Sequence, residues 1–237
     1  MDNSETGITD VWKGGSMRAR DAVISRKSIR SFEPNEVPRA LLETILRDAL
    51  RAPSWGNTQP WGVNIVSGGP LDRIKQACLV AFREERPIHP EVERPVIWAE
   101  AETRRYKALG RQLYETLGIG REDQQKRKAY EEQVILSFGA PHLIYLHLKS
   151  GFNVYAMMDA GCLLQTIALL ATEEGLGTCF LARSILFPDI VRRHARIPDG
   201  RTLVMGMAIG YPQKEHPLAT FQSQRGTQDE FILWVDE

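Results

Sequence analysis

Neither sign of charge predominates in this 237-residue chain: 30 Lys and Arg balance 30 Asp and Glu, and the pI lies near 7.0. Without a broad basic field the chain is a poor general partner for nucleic acid, so any anion site must be local. Cysteine is scarce. Cys78, Cys162 and Cys179 are odd in number and lack CxxC or metal-ligand spacing; they read as buried thiols in a reducing compartment, which sets the expectation of a cytoplasmic protein. His89, His142, His147, His194 and His216 are scattered without ligand spacing, so no metal is expected. Long apolar runs are missing too: GCLLQTIALLA is interrupted by Gln165 and Thr166, short of the roughly 20 residues a bilayer span needs. No GxGxxG follows a strand-like stretch, and GxxxxGK(S/T), HExxH and GxSxG are absent. Several standard enzyme classes, from dinucleotide-fold dehydrogenases to zinc proteases, are thereby set aside.

What is present is organised text. The chain shows no repeat and no low-complexity tract, and its length suits one generous domain over residues 17–237. Residues 1–16, ending in KGGS, are expected to form a loosely held tail. A short helix is expected in MRARDAVISR. PRALLETILRDALRAP carries Leu41, Leu42, Ile45, Leu46, Ala49 and Leu50 on one helical face, and Pro53 stops it. WGVNIVS reads as a strand, and the turn Gly68-Gly69-Pro70 leads into a helix from Leu71 to about Glu85. A proline-punctuated connector then precedes a helix from Trp98 to Leu117, and polar text continues to residue 133. So much exposed charge predicts a surface arm or lid over residues 90–133.

PHLIYLHLK is almost continuously apolar, as a strand covered on both faces should be. Asn153 is the predicted cap of a long helix closed by Gly175, apolar around most of its circumference and therefore central. LGTCFL and RTLVMGMAIG are further buried strands on either side of the helix FPDIVRRHA. Helices first, then strands separated by helices, argue a layered α+β or α/β sheet.

Two stretches carry chemistry. SRKSIRSF places Arg26, Lys27 and Arg30 around Ser28 and Ser31. Basic residues after a helix often do no more than offset its dipole. Guanidiniums spaced four apart with a hydroxyl between them also suit one phosphate or one anionic ring. The second stretch, RAPSWGNTQPW, exposes Trp55 beside Ser54, Asn57, Thr58 and Gln59, with prolines stiffening both ends. It reads either as a plain loop or as a cradle for a planar heterocycle with donors and acceptors along one edge.

In combination, RKSIRSF and APSWGNTQPW resemble the two N-terminal signatures of the FMN-dependent nitroreductase family. MDAGCLLQTIALLATEEGLGTCFL resembles its central helix and following strand, and GMAIGYP its last core strand. The likeness runs over roughly residues 18–230 and implies an α+β three-layer sandwich: a mostly antiparallel central sheet flanked by helices, in an intertwined homodimer. It implies that Arg26 and Ser28, with Lys27 beside them, meet the FMN phosphate and ribityl end, while Arg30 lies by the pyrimidine edge and favours the anionic reduced flavin. Pro53, Ser54, Trp55, Asn57 and Gln59 match loop positions that hold the isoalloxazine, often from the partner subunit. The backbone amides of Ala182 and Arg183 match those near flavin N(5), and Ser223 and Arg225 match a phosphate-binding pair in which the family commonly has a basic residue at the first position.

The implied activity is reduction of nitroaromatic compounds by NADPH or NADH, with hydride passing through flavin N(5) and no side-chain acid or base required. Trp98 and Tyr106 are expected substrate contacts, and RRYK at 104–107 tilts the expected donor toward NADPH. Same-fold alternatives are a flavin reductase, an enone reductase and a reductive dehalogenase, the last through Glu102, Tyr106 and the run Lys126, Arg127 and Lys128. A non-catalytic FMN-storage protein is the third reading.

Overall fold

The near-continuous apolar strand is the middle of the molecule. In the computed structural model, which describes residues 17–93, 95 and 98–236, strand β2 (His142–Lys149) is buried along all but its last residue. The expected tail over residues 1–16 lies outside the described residues. β2 is flanked by β1 (Trp61–Ser67) and β4 (Arg201–Gly210), and β3 (Gly177–Leu181) pairs with the far side of β4. The order β1-β2-β4-β3 is antiparallel throughout, so the sheet of the expected α+β sandwich is present. A register shift between Leu146 and His147 marks a bulge opposite Val204, which adds local twist.

Burial on both faces follows from the helices. Leu143, Tyr145, Leu203 and Ala208 meet α3 (Gly68–Arg83), α5 (Gln124–Ile135) and α7 (Pro188–Ala195) in one core. Ile144, Leu146, Met207 and Ile209 meet α2 (Arg39–Ala49) and α6 (Val154–Glu173) in the other. Adjacent residues of β2 thus alternate between two apolar layers, which is why period-2 patterning is missing from its sequence. The short helix α1 (Ala19–Ser25) packs on α6.

Helix α6 starts where expected, with Asn153 Oδ1 accepting the Ala156 N–H at 3.0 Å, and ends at Gly175 with φ 72°. It has 20 residues and an 18-residue window of mean hydropathy 1.6, so length and composition alone would allow a membrane span. The reading from short apolar runs understated this. What fixes its role is packing, since Leu163, Leu164, Ile167 and Ala171 are buried in the core shared with the sheet.

Within the expected arm, α4 (Glu100–Thr116) buries only Leu113. It begins two residues later than the polar periodicity predicts, because the Glu102 carboxylate accepts the Ala99 N–H at 3.0 Å and so defines the first turn. Gly118, at φ 64°, separates it from α5. A Tyr114–Tyr130 edge contact with Arg127 over the Tyr114 ring ties the two helices together.

Candidate active site

The basic stretch is held as a fifth, irregular rung beside β3. Ser28 bridges Thr178 in parallel, the Ile29 N–H donates to the Thr178 carbonyl at 2.9 Å, and Phe32 pairs with Pro212 beyond β4. Ile29 is buried, so its neighbours Ser28 and Arg30 project the other way. This docking depends on Gly177: a Cβ there would sit 2.3 Å from Ile29 Cγ1. The first residue of β3 is therefore glycine because the cation-bearing segment crosses over it.

Around that segment the chain gathers positive charge without neutralising it. Gln222 Nε2 donates to the Ile24 carbonyl at 3.0 Å, bringing the C-terminal segment onto the end of α1. Arg225 then lies close enough to Arg26 to oppose its charge. Burial, reinforced by Arg225, pulls the Arg26 guanidinium below its ordinary pKa, and burial does the same to the Lys27 ammonium. Arg30 donates to the Ser28 carbonyl at 3.1 Å, lies 5.9 Å from the centre of the Phe221 ring and touches the Tyr130 phenol. Burial pushes that phenol up, with Arg30 pulling against it. Among the described residues, no carboxylate stands within ion-pair distance of Arg26, Lys27, Arg30 or Arg225, whereas Arg18, Arg39, Arg83, Arg104 and Arg192 each have one. Cations left facing one another cost Coulomb energy that a dianion would reverse in sign.

Ser223 is bonded to its expected partner in the phosphate pair, Arg225. Its Oγ accepts from Arg225 Nη1 at 2.6 Å and its carbonyl accepts from the same nitrogen at 2.9 Å, so it aims the arginine. The Cys179 thiol lies beneath the cluster and is pushed up to about 11, burial outweighing Arg30, Ser28 and Arg26; it stays protonated.

Ala182 and Arg183 follow β3 in a 3-10 turn, with Ala182 exposed and the Arg183 side chain 3.7 Å from Glu131. The turn is sharp because Ser184 Oγ donates to the Leu181 carbonyl at 2.7 Å in space left free by Gly206.

The loop at 53–59 is a tight, strained turn: Gly56, Asn57 and Gln59 all have positive φ, near 56°, 56° and 46°. Ser54 Oγ accepts the Gln59 N–H at 3.0 Å, and the Gln59 amide donates back to Asn57. Pro53 precedes the turn and leaves Trp55 62 % exposed. The loop is anchored to α6, by Asp159 Oδ1 accepting the Trp55 N–H at 3.1 Å and by Tyr155 stacking on Trp55 at 5.8 Å. No hydrogen bond, ion pair or ring contact joins it to Arg26, Ser28 or Arg30 among the described residues.

Trp98 and Tyr106 stack at 6.3 Å on the arm and line an open groove of about 750 Å3, whose opposite wall includes Ser223 and Arg225. The groove therefore borders the cationic cluster. The arginines of RRYK are already engaged there: Arg104 pairs with Glu100 at 2.6 Å, and Arg105 with Glu230 beneath the Phe231 ring. The charged residues of the dehalogenase alternative have local partners as well. Glu102 caps α4, Lys126 pairs with Asp123 at 3.0 Å, and Arg127 donates to the Gly120 carbonyl.

Sequence reasoning missed Asp159, Tyr130, Phe221 and Gly177. Asp159 had a signal, as the one acid in the first four turns of an apolar helix. Tyr130 was hidden in polar arm text.

Comparison with known proteins adds an independent line. The family model described as "Nitroreductase family" matches residues 23–211. The chain is 32% identical over 193 residues to "Nitroreductase NfnB" of Mycolicibacterium smegmatis, covering 81% of this chain and 82% of that one. It is 31% identical over 230 residues to a 4-nitrobenzoate reductase of Nocardioides sp., covering 94% and 93%. Among solved structures, the FMN and NADPH-dependent nitroreductase NfnB of sphigopyxis sp. strain HMH superposes with a TM-score of 0.89 at 32% identity, over 93% of this chain and all of that one (100%). The FMN-dependent NfnB of Mycobacterium smegmatis, solved in complex with NADPH, gives 0.87 at 28%, over 92% and 98%.

Proposed function

The chain belongs to the nitroreductase family, and from that premise we propose that it is an FMN-dependent NAD(P)H oxidoreductase reducing nitroaromatic compounds. The observation that carries the reading is the set of cations at Arg26, Lys27, Arg30 and Arg225, held together without a carboxylate at one edge of the sheet. A phosphomonoester fits that donor set, because guanidinium forks pair with its oxygens and relieve the repulsion between Arg26 and Arg225.

When bound, FMN would supply the redox chemistry that links oxidation of a nicotinamide to reduction of a nitro compound. The protein's part is to bind, orient and exclude water. Arg26, Arg225, Ser28 and Lys27 hold the phosphate and ribityl end, with Ser223 aiming Arg225. Arg30, caged by Phe221, Tyr130 and the Ser28 carbonyl, provides a fixed positive charge at the pyrimidine edge, where reduction builds negative charge. The backbone of Ala182 and Arg183 would hold the ring at its centre. The turn at 53–59 closes the ring slot through Pro53, Ser54, Trp55, Asn57 and Gln59. Since that turn is anchored to α6 and not to the cations of its own chain, the slot is completed by a second copy.

A homodimer is supported by apolar surface in the right place. Trp55, Tyr155, Val154 and Met158 are exposed around the start of α6, Val23 and Ile24 on α1, and Phe231 to Val235 at the C-terminal segment. Surface of this kind on one subunit is what a self-complementary interface covers. Trp98 and Tyr106 in the adjoining groove receive the aromatic acceptor.

The test is direct. Purified protein titrated with FMN should turn yellow with one flavin per chain, elute as a dimer, and oxidise NADPH when a nitrobenzoate is added. NADPH comes first because it is the donor named for two solved relatives. Quinones, free flavins and halotyrosines belong in the same panel with both nicotinamides. A protein that binds no FMN refutes the proposal, and faster turnover of another acceptor class reassigns the substrate.

A further inference from the structure

Asp159 is the least expected side chain near the ring slot. It is 3 % exposed, in a helix otherwise apolar on that face, yet no Lys, Arg or His pairs with it among the described residues. Oδ1 accepts the Trp55 N–H at 3.1 Å, whereas Oδ2 is buried without any partner. A carboxylate placed this way is a poor choice for stability, because an apolar side chain would fill the same space without leaving an oxygen unsatisfied. What it does accomplish is geometric. The amide it holds belongs to the residue that opens the strained turn, immediately before Gly56 and Asn57 at positive φ. Tyr155, one helical turn earlier on α6, holds the ring of the same residue by stacking at 5.8 Å. Trp55 is thus fixed at its backbone and at its side chain by two positions four apart on one helix, although the residue itself is largely exposed.

We propose that Asp159 is a positioning residue that sets where Trp55 stands in the flavin slot, with Tyr155 as the second arm of the same clamp. The inference rests on the reading of the 53–59 turn as part of the FMN site. A turn with three positive-φ residues has nearby alternatives, and one hydrogen bond from a rigid helix selects among them. Release of the Trp55 amide lets the ring move relative to the slot without unfolding anything, so the cost falls on cofactor affinity and not on the fold.

The experiment uses the full chain stripped of flavin, with FMN fluorescence quenching as the binding readout and thermal melting of the apoprotein as the control. Asp159→Ala is expected to weaken FMN about tenfold, the loss of one hydrogen bond, with the apoprotein melting temperature unchanged or raised. Asp159→Asn, whose amide oxygen still accepts from Trp55, should restore binding to within about twofold of the parent by the same reasoning. In a Trp55→Ala background, Asp159→Ala should lose most of its effect, since the ring it places is gone. The inference is overturned if Asp159→Ala binds FMN like the parent, if its effect is undiminished without Trp55, or if Asp159→Ala and Asp159→Asn both lower the melting temperature in step with affinity. A parent protein that binds no FMN at all overturns the underlying reading as well, and so separates the two failures.

Discussion

Replacing Arg26 by alanine tests the core of the functional reading, because it should leave the empty protein nearly unchanged and weaken the loaded one. In the empty protein Arg26 is half-buried, opposed by Arg225 and without a carboxylate partner among the described residues. Removing it relieves repulsion and desolvation, so the apoprotein should keep its stability to within the ~0.5 kcal/mol usual for substitutions that break no partner. In the loaded protein the same change deletes a charge-assisted contact to phosphate, worth about 1.5–3 kcal/mol. At about 1.4 kcal/mol per decade this is a 10- to 150-fold rise in the FMN Kd. Arg225 is exposed and solvent screening weakens it, so Arg225→Ala should cost about threefold to tenfold on the same scale. The assay is fluorescence quenching of FMN on binding, repeated with riboflavin, which lacks the phosphate. Arg26→Ala should leave riboflavin affinity nearly unchanged and flatten the salt dependence seen with FMN. Equal weakening of both ligands, or none of either, would refute the assignment of the cluster to phosphate.

Other consequences are equally accessible. Arg30→Gln should shift the midpoint potential of bound FMN to a more negative value by about 20–60 mV, the two-electron equivalent of losing about 1–3 kcal/mol of favourable interaction with the reduced ring; spectroelectrochemistry measures it, and an unmoved potential places Arg30 elsewhere. Gly177→Ala puts a Cβ 2.3 Å from Ile29 Cγ1, so it should destabilise by about 1–3 kcal/mol and weaken FMN binding by displacing Ser28 and Arg30; denaturant unfolding and the same titration check both. Stability should also fall with acid. His142 accepts the Val37 N–H at Nε2 and faces Glu36 and Lys75, and His147 bonds Asn64 and faces Arg201 and Arg192. Burial is the largest cause that holds both imidazoles below their ordinary pKa. The unfolded chain then takes up protons first, so stability is full above about pH 6.5, the unperturbed histidine value, and declines as pH drops toward the depressed folded values. Thermal melts from pH 7.5 to 5.0 should show that decline, and a flat profile over that range contradicts it.

Local signals were strong in this sequence wherever one element could be read by itself. The α2 stripe, the Asn153 cap with Gly175 as its stop, and the both-sides-covered strand at His142–Lys149 all appear as read. Charged residues are less legible in isolation, because their partners come from elsewhere in the fold. Glu102 caps α4, Arg104 and Arg105 stand beside Glu100 and Glu230, and Ser223 accepts from Arg225.

Periodicity, caps and the two short motifs are local properties of the chain, and they determined the element types, the layered sheet and the family resemblance. Which cations remain without a counter-charge is not local. Arg26 meets Arg225 only because the C-terminal segment returns to α1, and Trp55 is fixed only because Asp159 arrives on α6. Those meetings join residues about 200 and 104 positions apart, and chain closure over such distances is decided by packing of the core, which no window of sequence contains.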